Sequence, residues 1–194
     1  SPRYNIAPSQ PVAVVVNRGG ARRLDAFQWG LIPVWAKDPA IGNKMIDARA
    51  ETVAQKPSFK RPLQRQRCLI LADGFFEWQK TSGGKIPAYI HLKDRKPFAF
   101  AGLWDRWRAP GGEEIHSCTI ITTRPNSLMK PLHNRMPVIL PPAAIEPWLA
   151  PVEQPPQALL PLLTPYPAGD MAFYRVSKLV NSPANDLPDC IRPL

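Results

Sequence analysis

Cysteine is scarce in this chain. There are three, Cys68, Cys118 and Cys190, and no two stand in a C-x-x-C spacing. That excludes a cysteine zinc site and a dithiol redox pair, and the odd count excludes a closed disulfide framework. Free thiols in apolar runs fit a reducing, intracellular compartment. No apolar run approaches the roughly 18 residues of a membrane span, and no signal peptide opens the sequence. There is no glycine-rich phosphate loop, no G-x-S-x-G elbow and no H-E-x-x-H pair. A nucleotide hydrolase, a serine esterase and a zinc protease therefore have no foothold. Strands and helices do not alternate as βαβ units require, which argues against a doubly wound sheet. Acidic charge is short as well: 15 Asp and Glu face 25 Lys and Arg, a formal net charge of +10. Such an excess favours polyanionic partners, nucleic acid first and anionic membrane second. A generally basic surface is the plainer alternative.

What the chain does have is proline, 25 of them, thickening after Pro141. They imply many short elements and well-fixed loops. Strands are expected at Val12–Val16, Ala26–Ile32, Cys68–Ala72, Phe75–Trp78, Ile86–Leu92, Pro97–Trp104, Ile115–Thr122, Val138–Leu140 and Ala172–Val176. A helix is expected to start in Ile46–Ala54, with Asp47 as its N-cap. Others are expected after Pro141-Pro142, carrying Ile145, Trp148 and Leu149, and over Gln157–Leu163. Lys56–Arg67 reads as basic and irregular, and the last eighteen residues as an extended tail over the surface. The expected fold is α+β: one domain over residues 1–194, with an antiparallel, barrel-like β-sheet core and peripheral short helices.

The chain is organised around Leu71–Lys80, L-A-D-G-F-F-E-W-Q-K. Asp73-Gly74 reads as the turn of a hairpin, with the glycine taking positive φ. Along the following strand, Phe75, Glu77 and Gln79 share one face, and Phe76 and Trp78 the other. Glu77 is a lone carboxylate among bulky aromatics. Apolar surroundings disfavour its ionised form and bring it toward useful proton transfer at neutral pH; a solvated glutamate on a half-exposed strand is the ordinary reading. Of the three histidines, His91 and His116 read as structural or exposed. His133 sits in K-P-L-H-N-R-M-P, in a loop that Pro131 and Pro137 bracket, with Arg135 beside it. A fixed loop is where a proton-transferring histidine is often found, although an ordinary hydrogen-bonded histidine also fits. Aromatics and bases interleave nearby: Trp35 with Lys37, Arg49 near Asp47, Arg124 near Asn126, Lys130 near His133. Aromatic faces stack bases, and cations neutralise phosphates.

Together R-Y-N-I-A-P (3–8), W-G-L-I-P-V-W-A (29–36), I-D-A-R-A-E-T (46–52), A-D-G-F-F-E-W (72–78), P-L-H-N-R-M-P (131–137) and V-S-K-L-V-N (176–181) resemble the SOS response-associated peptidase (SRAP) family. The resemblance covers nearly the whole chain. It implies an SRAP-like mixed α/β domain that binds single-stranded DNA and recognises abasic sites. In such proteins the initiator methionine is removed to free an N-terminal cysteine, whose amine and thiol close on the ring-opened sugar as a thiazolidine. Glu77 matches the catalytic glutamate and His133 the catalytic histidine. Trp35, Arg49, Thr122 and Arg135 fall where the family contacts DNA, and Arg3, Asn5 and Arg124 are further DNA-binding candidates in or beside these segments. Asp47 stands where the family usually has asparagine, as a third catalytic candidate. The cysteine would precede Ser1, so the sequence is expected to begin inside a longer chain. The resemblance implies no metal, cofactor or membrane, and a monomer in the bacterial cytoplasm at the nucleoid. Two alternatives stand beside it: a basic module that holds single-stranded nucleic acid reversibly, and a carboxylate-dependent hydrolase such as a glycosidase using Glu77 and an Asp.

Overall fold

The computed structural model describes residues 1–194. Its first hairpin follows from alternation. In β1 (Pro11–Arg18) the side chains of Val12, Val14 and Val16 are buried on one face; on the other Ala13 is exposed and Val15 packs against a second apolar cluster. Gly19 and Gly20 both have positive φ, as a two-residue hairpin turn with the twist of its strands requires. The chain returns as β2 (Ala21–Trp29), paired from Arg18↔Ala21 to Pro11↔Gln28.

The remaining strands in chain order are β3 (Asp47–Arg49), β4 (Arg67–Ala72), β5 (Phe75–Thr81), β6 (Gly84–Leu92), β7 (Phe98–Arg108), β8 (Glu114–Thr123), β9 (Met136–Pro137) and β10 (Met171–Arg175). Three short helices, α1 (Pro57–Arg65), α2 (Pro142–Leu149) and α3 (Pro156–Leu159), lie among them. The main sheet runs β2-β1-β4-β7-β8 and then closes, because β2 also pairs with β8 at Gln28↔Ser117 and Trp29↔Cys118. The result is a five-stranded mixed barrel whose closing pair is parallel. Side chains from all five strands fill it, among them Val14, Phe27, Cys68, Ile70, Phe100, Cys118 and Ile120. The opposite faces of β4, β7 and β8 carry Leu69, Ala101, Leu103 and Ile121, which pack with Trp148, Leu149 and Leu159 of α2 and α3. A second sheet, β10-β6-β5, joins the barrel core through Ile90, Leu92 and Met171.

The structure corrects three expectations. Ile46–Ala54 starts no helix: Asp47–Arg49 is a strand parallel to β8, and Ala50 N–H continues the ladder to Thr122 O at 2.9 Å. An exposed side of β8 was available, and pairing outweighed the weak helical preference of a short segment. Lys56–Arg67 is not irregular but holds α1, with Pro57 at its start. Asp73-Gly74 is not a hairpin turn: β4 belongs to the barrel and β5 to the second sheet, so this dipeptide carries the chain between them. The hairpin is β5–β6, closing at Thr81↔Gly84. Gly74 has no positive φ; it is glycine because a Cβ there would run into the Tyr89 ring.

The last eighteen residues lie over the surface, but not as an extended tail: they form 3-10 turns at Lys178–Asn181 and Pro188–Ile191, bury Val180 and Cys190, and are fastened in place. Asp186 accepts hydrogen bonds from Arg3 Nε, from Tyr4 N–H at 2.5 Å and from Asn5 N–H at 3.0 Å. Asn5 Nδ2 donates to the carbonyls of Val180, Ser182 and Asn185 at 3.1, 3.1 and 2.9 Å. No helix is long and apolar enough to cross a membrane.

Candidate active site at the end of β8

β7 and β8 pair as far as Gly102↔Ile120 and then part. The stretch 136–140 is wedged into the gap. Val138 N–H reaches Ile121 O at 2.8 Å on one side, and Ala101 N–H reaches Val138 O at 2.9 Å on the other. The loop before it, which carries His133, is thereby fixed at its far end. Its near end is tied to the second sheet by Gln79 Nε2, which donates to Pro131 O at 3.1 Å. Gln79 and Glu77 lie on one face of β5, two residues apart, as do Pro131 and His133 along the loop. The tie at 79–131 therefore sets 77 against 133. On that face Phe75 meets Phe100 edge-on at 5.7 Å, anchoring the strand in the barrel. Phe76 packs on the opposite side against Tyr89 at 5.5 Å.

The third group arrives along the other edge of β8. The register Asp47↔Ile120 and Arg49↔Thr122 places Asp47 beside the end of that strand. A cleft of about 750 Å³ opens there, and Arg3, Asn5, Asp47, Glu77, Thr122, His133 and Arg135 all line it. Trp35, Arg49 and Arg124 do not line it. Trp35 is 55% exposed on the loop after β2, and Arg49 and Arg124 are exposed near the end of β8.

Burial pushes the Glu77 carboxyl above the usual range, while His133 and the Trp78 N–H at 3.3 Å pull it back. The Asp47 charge pushes it further up. Asp47 is raised too, by the cleft walls that displace bulk water around it; His133 and Arg135 oppose that rise. His133 Nδ1 accepts the Arg135 N–H at 3.2 Å, so a neutral ring carries its proton on Nε2. Two carboxyls and one oriented imidazole in one concavity can pass protons to and from a bound molecule near neutral pH.

Arg135 is already engaged. Its guanidinium reaches across β8 to Glu51 in a bidentate pair at 2.9 and 2.8 Å and to Thr122 O at 2.9 Å. Arg49 Nε lies 4.0 Å from the same carboxylate. Arg135 holds Glu51 below the usual range. Glu51 escaped the sequence reading. It stands in the turn after β3, where Thr52 N–H bonds Arg49 O at 3.1 Å, and no local pattern announces its partner. Asn5 is buried, and its amide is wholly committed to the C-terminal segment, so its place in the structure is that of a tie. Arg3 is held by Asp186 and by Gln10 Oε1 at 2.8 Å. None of the three cysteines lines the cleft; all are buried. No group of three or more His, Cys, Asp or Glu side chains is placed to hold a metal ion.

The family model described as SOS response associated peptidase (SRAP) matches residues 1–183. The chain is 52% identical over 191 residues to the abasic site processing protein YoqW of Bacillus subtilis, covering 98% of this chain and 85% of that protein. It is 36% identical over 225 residues to the abasic site processing protein HMCES of Gallus gallus, covering 100% of this chain and 66% of that one. A crystal structure of a protein from Bacteroides thetaiotaomicron superimposes with a TM-score of 0.87 at 32% identity, covering 96% of this chain and 82% of that chain.

Proposed function

The chain belongs to the SRAP family, and from that premise we propose that it binds single-stranded DNA, recognises abasic sites and joins them covalently. The observation that carries the reading is the meeting of Glu77, His133 and Asp47, from three separate segments, in one cleft with Arg3 and Arg135. The names borne by YoqW and HMCES support it. Residues 1–194 act as one domain, and a cysteine on a segment preceding Ser1 supplies the nucleophile after its methionine is removed. All the cleft residues named come from one chain, so a monomer suffices. Its place of action is wherever the cell's DNA lies, the cytoplasm and nucleoid of a bacterium.

The chemistry follows from the groups present. The sugar of an abasic site opens to an aldehyde, and an amine attacks it only when neutral. Glu77, with its raised carboxyl, accepts the ammonium proton. The carbinolamine then loses water: the proton that Glu77 has taken passes to the departing hydroxyl, which the Nε2–H of His133 steadies by a hydrogen bond. The neighbouring thiol adds to the resulting imine and closes the thiazolidine. Asp47, where relatives are expected to carry an amide, donates a hydrogen bond to a sugar oxygen only while protonated.

Full-length protein incubated with an abasic single strand is expected to give an adduct that survives denaturing electrophoresis. Replacing the N-terminal cysteine should abolish it. Reversible, salt-sensitive binding without any adduct would instead leave a non-covalent nucleic-acid module.

A further inference from the structure

A second recess of about 500 Å³ adjoins the cleft, with Glu77 and His133 in the wall they share. Its charged lining comes from Lys80, Lys85 and Lys130, and Glu77 is the only acid in it. Lys80 and Lys85 are a directly opposed pair on β5 and β6. Like charges so placed repel each other and destabilise a sheet. Lys130 adds a third ammonium from the loop that Gln79 holds against β5. None of the three is relieved by an ion pair: every ion pair in the molecule uses arginine or His116. The Lys85 charge is felt at Glu77, whose carboxyl it lowers. Lysines serving only solubility would be dispersed over convex surface. Here they converge on a concavity that opens onto Glu77 and His133.

We propose that Lys80, Lys85 and Lys130 form a phosphate-binding subsite for one flank of the DNA strand whose abasic nucleotide lies at Glu77 and His133. The subsite rests on the functional reading above and adds to it a path for the backbone. A phosphodiester chain fits because it brings successive negative charges to a recess whose lining residues are mostly polar or cationic. Three point charges on flexible stems suit a backbone held without regard to base sequence.

The test uses full-length protein and a labelled single strand with a stable abasic analogue, titrated by fluorescence anisotropy from low to moderate salt. Each phosphate contact to a single strand contributes about −0.7 to the slope of log K against log salt. Exchanging all three lysines for glutamine is therefore expected to shallow the slope by roughly 2. Lys130→Gln alone, which leaves the hairpin intact, should shallow it by about 0.7. Strands carrying the lesion at one end or the other locate the flank: only one of them should be weakened by the triple substitution. A slope equal to the wild type's, or equal weakening of both strands, overturns the subsite while leaving the functional reading in place. Wild-type protein with no affinity for the abasic strand overturns both. A recess built for a free anion would bind inorganic phosphate by calorimetry and lose it in the triple variant, with the DNA slope unmoved; that result also overturns the proposal.

Discussion

Glu77 and Asp47 face the same imidazole, and the Asp47 charge makes Glu77 harder to ionise. Two consequences can be measured. Asp47→Asn removes a negative charge that raises Glu77, so the acid limb of the pH–rate profile for adduct formation should move to lower pH. An unmoved limb would count against their coupling. Glu77→Gln should slow adduct formation by about 10²–10⁴-fold, the usual worth of a positioned base, with DNA affinity largely kept. Stability gives an independent readout. A carboxyl raised by folding binds its proton more tightly in the folded state, so its contribution is fully present below the unfolded pKa. It fades as pH climbs through the raised value. Relative to wild type, the Glu77→Gln protein should therefore gain stability from acid toward neutral pH, as thermal melts across that range would record. Much of this site was legible in the chain. Glu77 stood out as a charge among aromatics, and His133 as a histidine between prolines. Glu51, Lys80 and Lys85 did not, because partners far apart in sequence give them their meaning; Lys130 was marked only as a base beside His133.

Short elements are where the sequence misled. Propensity over a few residues is worth less than one free sheet edge, and so 46–54 became strand. Local pattern marks where a chain bends but not which sheet it joins next, and so the break at 73–74 passed for a hairpin. Arg67 shows the converse, a side chain that builds elements. It is buried, with no carboxylate beside it, and its guanidinium donates to the carbonyls of Leu63 and Gln64 at the end of α1 and of Trp148, Ala150 and Val152 at the end of α2. Four carbonyls otherwise left at helix ends and in the following turn are satisfied by one charge, and the fifth, Gln64 O, accepts from the Gln154 N–H at 3.1 Å as well. Arg67→Met should cost about 3 kcal/mol, since buried acceptors lose their partners, measurable as a lower urea midpoint. Asp186→Ala should act more locally. Without its acceptor, the Tyr4 and Asn5 amides should exchange with deuterium markedly faster, while the midpoint of global unfolding moves little.

Over the whole molecule, alternation along the strands made the barrel readable, but not its closure. The parallel contact of β2 with β8 joins residues nearly ninety positions apart, and nothing local announces it. It depends on one crowded point. Gly30, at φ +126°, lies against the backbone of Gly42, whose carbonyl oxygen would stand 2.5 Å from any Cβ placed there. Gly30→Ala is therefore expected to destabilise the fold by several kcal/mol, on the order of a severe backbone clash, with a visible drop in melting temperature.

The loop that begins at Gly30 is sewn down along its length. Ile32 N–H bonds Ser117 Oγ at 2.7 Å, Val34 N–H bonds Asp105 Oδ2 at 2.9 Å, and Ala36 O accepts from Trp107 Nε1 at 2.7 Å. Trp35 thus projects outward from a backbone that has no slack. Whatever stacks upon that indole meets a seat already in its final shape, so docking there demands no folding of the seat, and free and occupied forms should superimpose closely through this arc of the chain.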